Sequence, residues 1–151
     1  MSDQTISYPR PHAKDLSASY WEGTSRGALV LQCCSACGRF RHYAQLICSS
    51  CYTEHAEWID ASGRGTVHSW TVSHHAFHPS FGADLPYTLA TVDLEEGVRA
   101  LGLLKNVAPD ALKIGLQLRA TFPVWTDGYG RLTFVPVLSD KLEHPRMDLQ
   151  G

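Results

Sequence analysis

Apolar and polar positions along the chain fall into distinct textures. After Pro9 and Pro11, which keep the start extended, Leu16, Tyr20 and Trp21 recur at helical spacing. One amphipathic helix is therefore expected near residues 14–22, ended by Gly23. Ala28 to Gln32 reads as a short strand. From Trp58 onward, apolar residues alternate with small or polar ones, and β-branched residues become frequent. Gly65–Val72, Tyr87–Leu94, Val98–Leu104, Gln117–Trp125 and Leu132–Leu138 each read as a strand. Glu95-Glu96-Gly97 and Asp127-Gly128-Tyr129-Gly130 supply turns. Val107–Ala111 forms another before Ile114-Gly115, and Pro109–Leu112 is only a weak helical candidate. Five strands with so little helix predict a small closed barrel, best matched by a five-stranded OB-fold.

The cysteines change the picture between these textures. All five fall between Cys33 and Cys51, and none occurs elsewhere. A disulfide framework would spread its half-cystines to staple distant loops. Here the spacing resolves into Cys34-x-x-Cys37 and Cys48-x-x-Cys51, separated by Gly38–Ile47. Each short turn aims two thiolates at one point, and two such turns close a tetrahedron around zinc. Gly38 can take the positive φ that wraps amides around a metal-bound sulfur. Phe40, Arg41, His42 and Tyr43 would form the hairpin of a zinc ribbon. With four thiolates the coordination shell is full, so the ion is structural. Cys33 is left over, as a small apolar residue or a neighbour of the ligands. The fold class is therefore mainly β. It comprises an N-terminal helical arm (1–27), a rubredoxin-like zinc ribbon (28–60), an OB-fold barrel (61–140) and a C-terminal tail (141–151).

Charge and composition narrow the function. Thirteen Lys and Arg against 15 Asp and Glu give a formal net charge of -2. That balance argues against a protein built to neutralise phosphate backbones. No apolar run is long enough to span a bilayer, and Met1–Thr5 lacks the basic start of a secretory signal, so a soluble cytoplasmic protein is expected. His74, His75 and His78 cluster in a loop without a neighbouring carboxylate to orient an imidazole, so the expectation there is a polar loop touching a partner or ligand. Gly63-Arg64-Gly65 is too short for a dinucleotide fingerprint and reads as a tight corner before a strand. No catalytic constellation is evident. Two alternatives stay open: a single-stranded nucleic-acid-binding OB-fold protein, and a stand-alone enzyme using the His74–His78 loop.

An ordered set of motifs resembles a known family. They are Tyr20-Trp21-Glu22-Gly23, Leu29-Val30-Leu31-Gln32, the two CxxC pairs, Ser62-Gly63-Arg64-Gly65-Thr66-Val67, Leu85-Pro86-Tyr87, Val92–Val98 and Ile114-Gly115. Together they resemble the zinc-ribbon plus OB-fold proteins called domain of unknown function thirty-five. One departure is Tyr43-Ala44-Gln45, where the family carries a Pro-Pro-Arg-like segment. The resemblance implies a non-catalytic accessory subunit that binds a thiolase-like enzyme in a hetero-oligomer. Such a complex would perform thiolase, acyltransferase or aldolase chemistry on CoA thioesters, with the reactive cysteine and histidines in the partner. Zn2+ would be the structural cofactor, and a CoA thioester the ligand or substrate of the complex. Tyr20, Trp21, Arg41, His75, His78 and Tyr87 are the candidate contacts for partner or acyl-CoA.

Overall fold

The computed structural model describes residues 7–138; the tail expected over 141–151 lies outside them. Asp15–Ser17 form a 3₁₀ turn that continues into helix α1, Ala18–Ser25. The helix runs through Gly23 instead of stopping there. Gly23 is buried, and a Cβ on it would lie 2.3 Å from Cγ2 of Val30. Glycine is there so that the helix can lie against the following strand, a tertiary demand with no local signature. The stop is supplied by Gly27 at φ +78°, with the Ala28 amide donating 2.9 Å to the Gly23 carbonyl.

The ribbon is a three-stranded sheet. Its strands β1 (Val30–Cys34), β2 (Phe40–Arg41) and β3 (Ala56–Asp60) are arranged β2-β1-β3. The hairpin expected between the cysteine pairs is thus shorter and differently partnered. β2 folds back onto β1 across the first cysteine turn, pairing Gln32 with Arg41 and Cys33 with Phe40. β3 takes the other edge of β1, pairing Gln32 with Trp58 and Cys34 with Ala56. Both faces of β1 are covered: Leu29 and Leu31 join the main core on one side, and Val30 meets α1 on the other.

The barrel contains β4 (Arg64–Ser73), β5 (Tyr87–Leu94), β6 (Arg99–Leu104) and β7 (Gln117–Thr121). It is closed by β10 (Thr133–Pro136) in the order β10-β6-β5-β4-β7. β10 runs parallel to β6 and every other pair is antiparallel, which is the OB arrangement. The long strand expected over Gln117–Trp125 is broken at Phe122-Pro123, where proline has no amide to give to a ladder. Beyond the break, β8 (Val124–Thr126) and β9 (Tyr129–Gly130) form a separate hairpin over Asp127-Gly128. The weak helical candidate at Pro109–Leu112 is only a turn, closed by Ala111 N to Ala108 O at 2.9 Å. A 3₁₀ helix over Pro79–Asp84 follows the histidine loop and was not expected from the pattern. Phe134, Leu118, Val92 and Ala90 fill the barrel and share one core with Leu29 and Leu31 of the ribbon side. Among the described residues, no helix is long and apolar enough to cross a membrane.

Candidate metal centre and docking surface

The two CxxC turns are built alike. Cys34 N donates to Arg39 O, and Gly38 N to Cys34 O, both at 2.9 Å. In the second turn Cys48 N donates to Thr53 O, and Tyr52 N to Cys48 O, again at 2.9 Å. Gly38 at φ +72° and Tyr52 at φ +61° occupy the same left-handed position after each pair. The second of these was invisible in the sequence, because a tyrosine stands where glycine would be expected. These turns bring four sulfurs within 4.8 Å of one another. Cys34 Sγ lies 3.5 Å from Cys51 Sγ, and Cys37 Sγ 3.7 Å from Cys48 Sγ. A tetrahedral zinc with Zn–S of about 2.3 Å separates its sulfurs by roughly 3.8 Å, so the spacing fits the ion. It is far too long for a disulfide bond of about 2.05 Å.

The electrostatics of the quartet also suit a cation. The amide of Cys37 lowers the Cys34 thiol, and the amides of Ser50 and Cys51 hold Cys48 down to about 6. Cys51 ends up at about 11 even though the Thr53 amide lowers it, because partial loss of hydration and three neighbouring sulfurs resist a further negative charge. A divalent ion removes that conflict. Cys33 stands outside the quartet, half-buried, with its Sγ 3.5 Å from Gly38 O. Among the described residues, no other group of three or more His, Cys, Asp or Glu side chains is close enough to share an ion.

The six candidate contact residues separate into three places. Tyr20, Trp21 and Tyr87 gather along a cleft of about 290 Å³ on the outer face of β5 and β6. Leu89, Leu101 and Trp125 belong to its apolar wall. Tyr8 contacts two residues of its wall: its hydroxyl donates 2.9 Å to Asp84 Oδ2, and its ring packs 5.2 Å from Phe81. The Arg131 guanidinium lies over both the Tyr8 and the Trp125 ring, at 5.6 and 5.8 Å, beside the contact those two rings make with each other at 6.1 Å. None of Tyr8, Asp84, Trp125 or Arg131 was singled out for this cleft from the sequence, since only the tertiary fold brings them together.

The histidines occupy the second place. His78 caps the 3₁₀ helix, its Nδ1 2.7 Å from Ser80 Oγ and accepting from Ser80 N. His75 is exposed and meets Phe77 edge-on at 5.0 Å. Arg41 is in the third place, buried in the ribbon rather than presented at the surface.

Tyr20 joins the cleft to the ribbon. Its ring lies 5.1 Å from Trp21 and 5.7 Å from His42. Burial pushes the Tyr20 hydroxyl up to about 12 and the His42 imidazole down to about 4. A histidine held neutral in this way contributes stability above pH 6.5, and that contribution is lost as pH falls towards 4. The predicted loss reaches about 3 kcal/mol. Urea titrations at stepped pH should show it in the wild type, whereas His42→Phe should follow a flatter profile across that window.

Residues 21–54 match the family model described as ChsH2, rubredoxin-like zinc ribbon domain, and residues 58–123 that described as ChsH2, C-terminal OB-fold domain. The solved structure of the Ltp2-ChsH2(DUF35) aldolase contains a similar chain. The two are 32% identical with a TM-score of 0.77, covering 85% of this chain and 100% of that one. The chain belongs to the DUF35 family. A DUF35 domain-containing scaffold protein of Methanocaldococcus jannaschii is 36% identical over 91 residues, 59% of this chain and 63% of that protein. A probable enoyl-CoA hydratase alpha subunit of Thermomonospora curvata is 37% identical over 110 residues. That match takes in 73% of this chain and 34% of the hydratase subunit, so the chain spans about a third of that relative's length. The DUF35 zinc ribbon and OB-fold are thus both present here, with the four-cysteine site in place.

Proposed function

We propose that this DUF35 chain is a zinc-containing accessory subunit that docks on a partner enzyme acting on CoA thioesters and helps to enclose the acyl group. The partner is of hydratase, aldolase or thiolase-like type and carries the reacting residues. Cys34, Cys37, Cys48 and Cys51 hold the zinc. An ion with four protein ligands has no open position for water or substrate, so its contribution is to folding. The observation that carries this reading is the full coverage of the DUF35 chain in the aldolase structure by residues of this chain. The cleft adds to it: Tyr20, Trp21 and Tyr87 form the kind of aromatic surface from which interface anchors are drawn.

Nucleic-acid binding is disfavoured by the balance of 13 Lys and Arg against 15 Asp and Glu, and by the pairing of several arginines. Arg10, Arg26, Arg64 and Arg99 are each paired with a carboxylate. A single-stranded binding groove would keep its cations free.

The docking claim is tested by co-expressing the chain with its partner and measuring affinity. Trp21→Ala should weaken the complex by at least about 30-fold, the scale of an aromatic anchor. An unchanged dissociation constant for Trp21→Ala and Tyr87→Ala would remove the cleft from the interface.

A further inference from the structure

Arg41 is the one charged side chain buried among the described residues, 6% exposed. Its Nε, Nη1 and Nη2 all lack a hydrogen-bond partner. The ion pairs of the described residues do not include it, and the cation stacked on aromatic rings is Arg131. An isolated guanidinium out of water is strongly unfavourable, so a compensating negative charge is required.

The sheet register shows where that charge arises. Arg41 stands directly opposite Gln32, and the next inward-facing residue of β1 on the same face is Cys34. Arg41 and Cys34 are therefore diagonal neighbours, and such pairs lie about 7–8 Å apart, so the cation acts on the cluster through space and not by a hydrogen bond to sulfur. Gln32 does not compete for the cation, since its Oε1 already accepts from Gln45 N at 2.9 Å. Four thiolates around a divalent zinc leave two net negative charges at the cluster that contains Cys34.

We propose that Arg41 is the buried counter-charge of the zinc tetrathiolate, so that zinc retention and ribbon stability are coupled through this one side chain. The inference rests on the zinc-ribbon reading. With zinc bound, the cation offsets the excess negative charge of the cluster.

The full chain with Arg41→Met, Arg41→Lys and no substitution is titrated with zinc against a chromophoric chelator, and each zinc-loaded protein is melted. Arg41→Met should bind zinc about 10–100-fold more weakly, the usual effect of losing a group that supports metal ligands. Arg41→Lys, which keeps the charge, should recover most of that loss. With zinc bound, Arg41→Met should melt below wild type and Arg41→Lys close to it. An arginine that only fills space would lower the melt of Arg41→Met and leave its zinc affinity unchanged. Wild-type zinc affinity in Arg41→Met, or a loss in Arg41→Lys as large as in Arg41→Met, overturns the proposal. Should Arg41→Met fail to fold, Arg41→Lys decides on affinity alone, since a charge role predicts binding within a few-fold of wild type. A wild-type chain that binds no zinc overturns the ribbon reading itself, which is a different result.

Discussion

Cys48→Ala is expected to abolish stoichiometric zinc and to unfold the ribbon. Cys48 is 1% exposed and closes the quartet through its 3.7 Å contact with Cys37. Ligation of a structural zinc contributes on the order of 10–16 kcal/mol, whereas a whole domain is stable by only about 5–15. Loss of one ligand of four therefore removes more than the ribbon can spare. β2 is two residues long, and β1 gains little from it without the cysteine turns that set its register. Metal analysis of the purified variant should give well under one-tenth of an equivalent of zinc, with loss of the cooperative melt. Cys33→Ala is the matched control. Its sulfur lies outside the quartet, so zinc content should stay at one per chain. Zinc lost equally from both variants would contradict the assignment of the four ligands.

Phe134→Ala should cost about 3–5 kcal/mol, the range for truncating a fully buried aromatic side chain. Phe134 is 0% exposed on β10, the strand that closes the barrel between β6 and β7. The cavity it would leave adjoins the core shared with Leu29 and Leu31, so the damage should not stay within the barrel. Urea unfolding should show a lower midpoint with an unchanged slope, and the ribbon should be lost in the same transition. Leu138→Ala, on a side chain that is 82% exposed, should move the midpoint little. A biphasic curve for Phe134→Ala, with the ribbon surviving, would mean that the two parts are stabilised separately.

Much of this architecture was legible in the sequence because its determinants are local. The CxxC spacing fixes where four sulfurs converge, and the alternation of Ala90, Val92 and Leu94 with Thr91 and Asp93 fixes which side chains enter the barrel. What escaped was set by distant contacts. Gly23 looks like a helix stop, but it is there for Val30 to approach the helix. Gln117–Trp125 alternates like one strand, yet Phe122-Pro123 divides it so that Trp125 can turn towards the cleft. Arg41 reads as a surface cation and lies inside, since burial depends on how the ribbon sheet and the turns around it fold together. Tyr8, Asp84 and Arg131 have no common motif, because the arm, the 3₁₀ helix and the last hairpin meet only in three dimensions.

The division of labour between this chain and its partner is tested most directly by turnover of a CoA thioester with purified components. The account predicts no reaction above background for the zinc-loaded chain alone, and reaction when the partner is added. It also predicts that the Trp21→Ala chain supports that reaction only at much higher concentration. Turnover by this chain in the absence of any partner would contradict it.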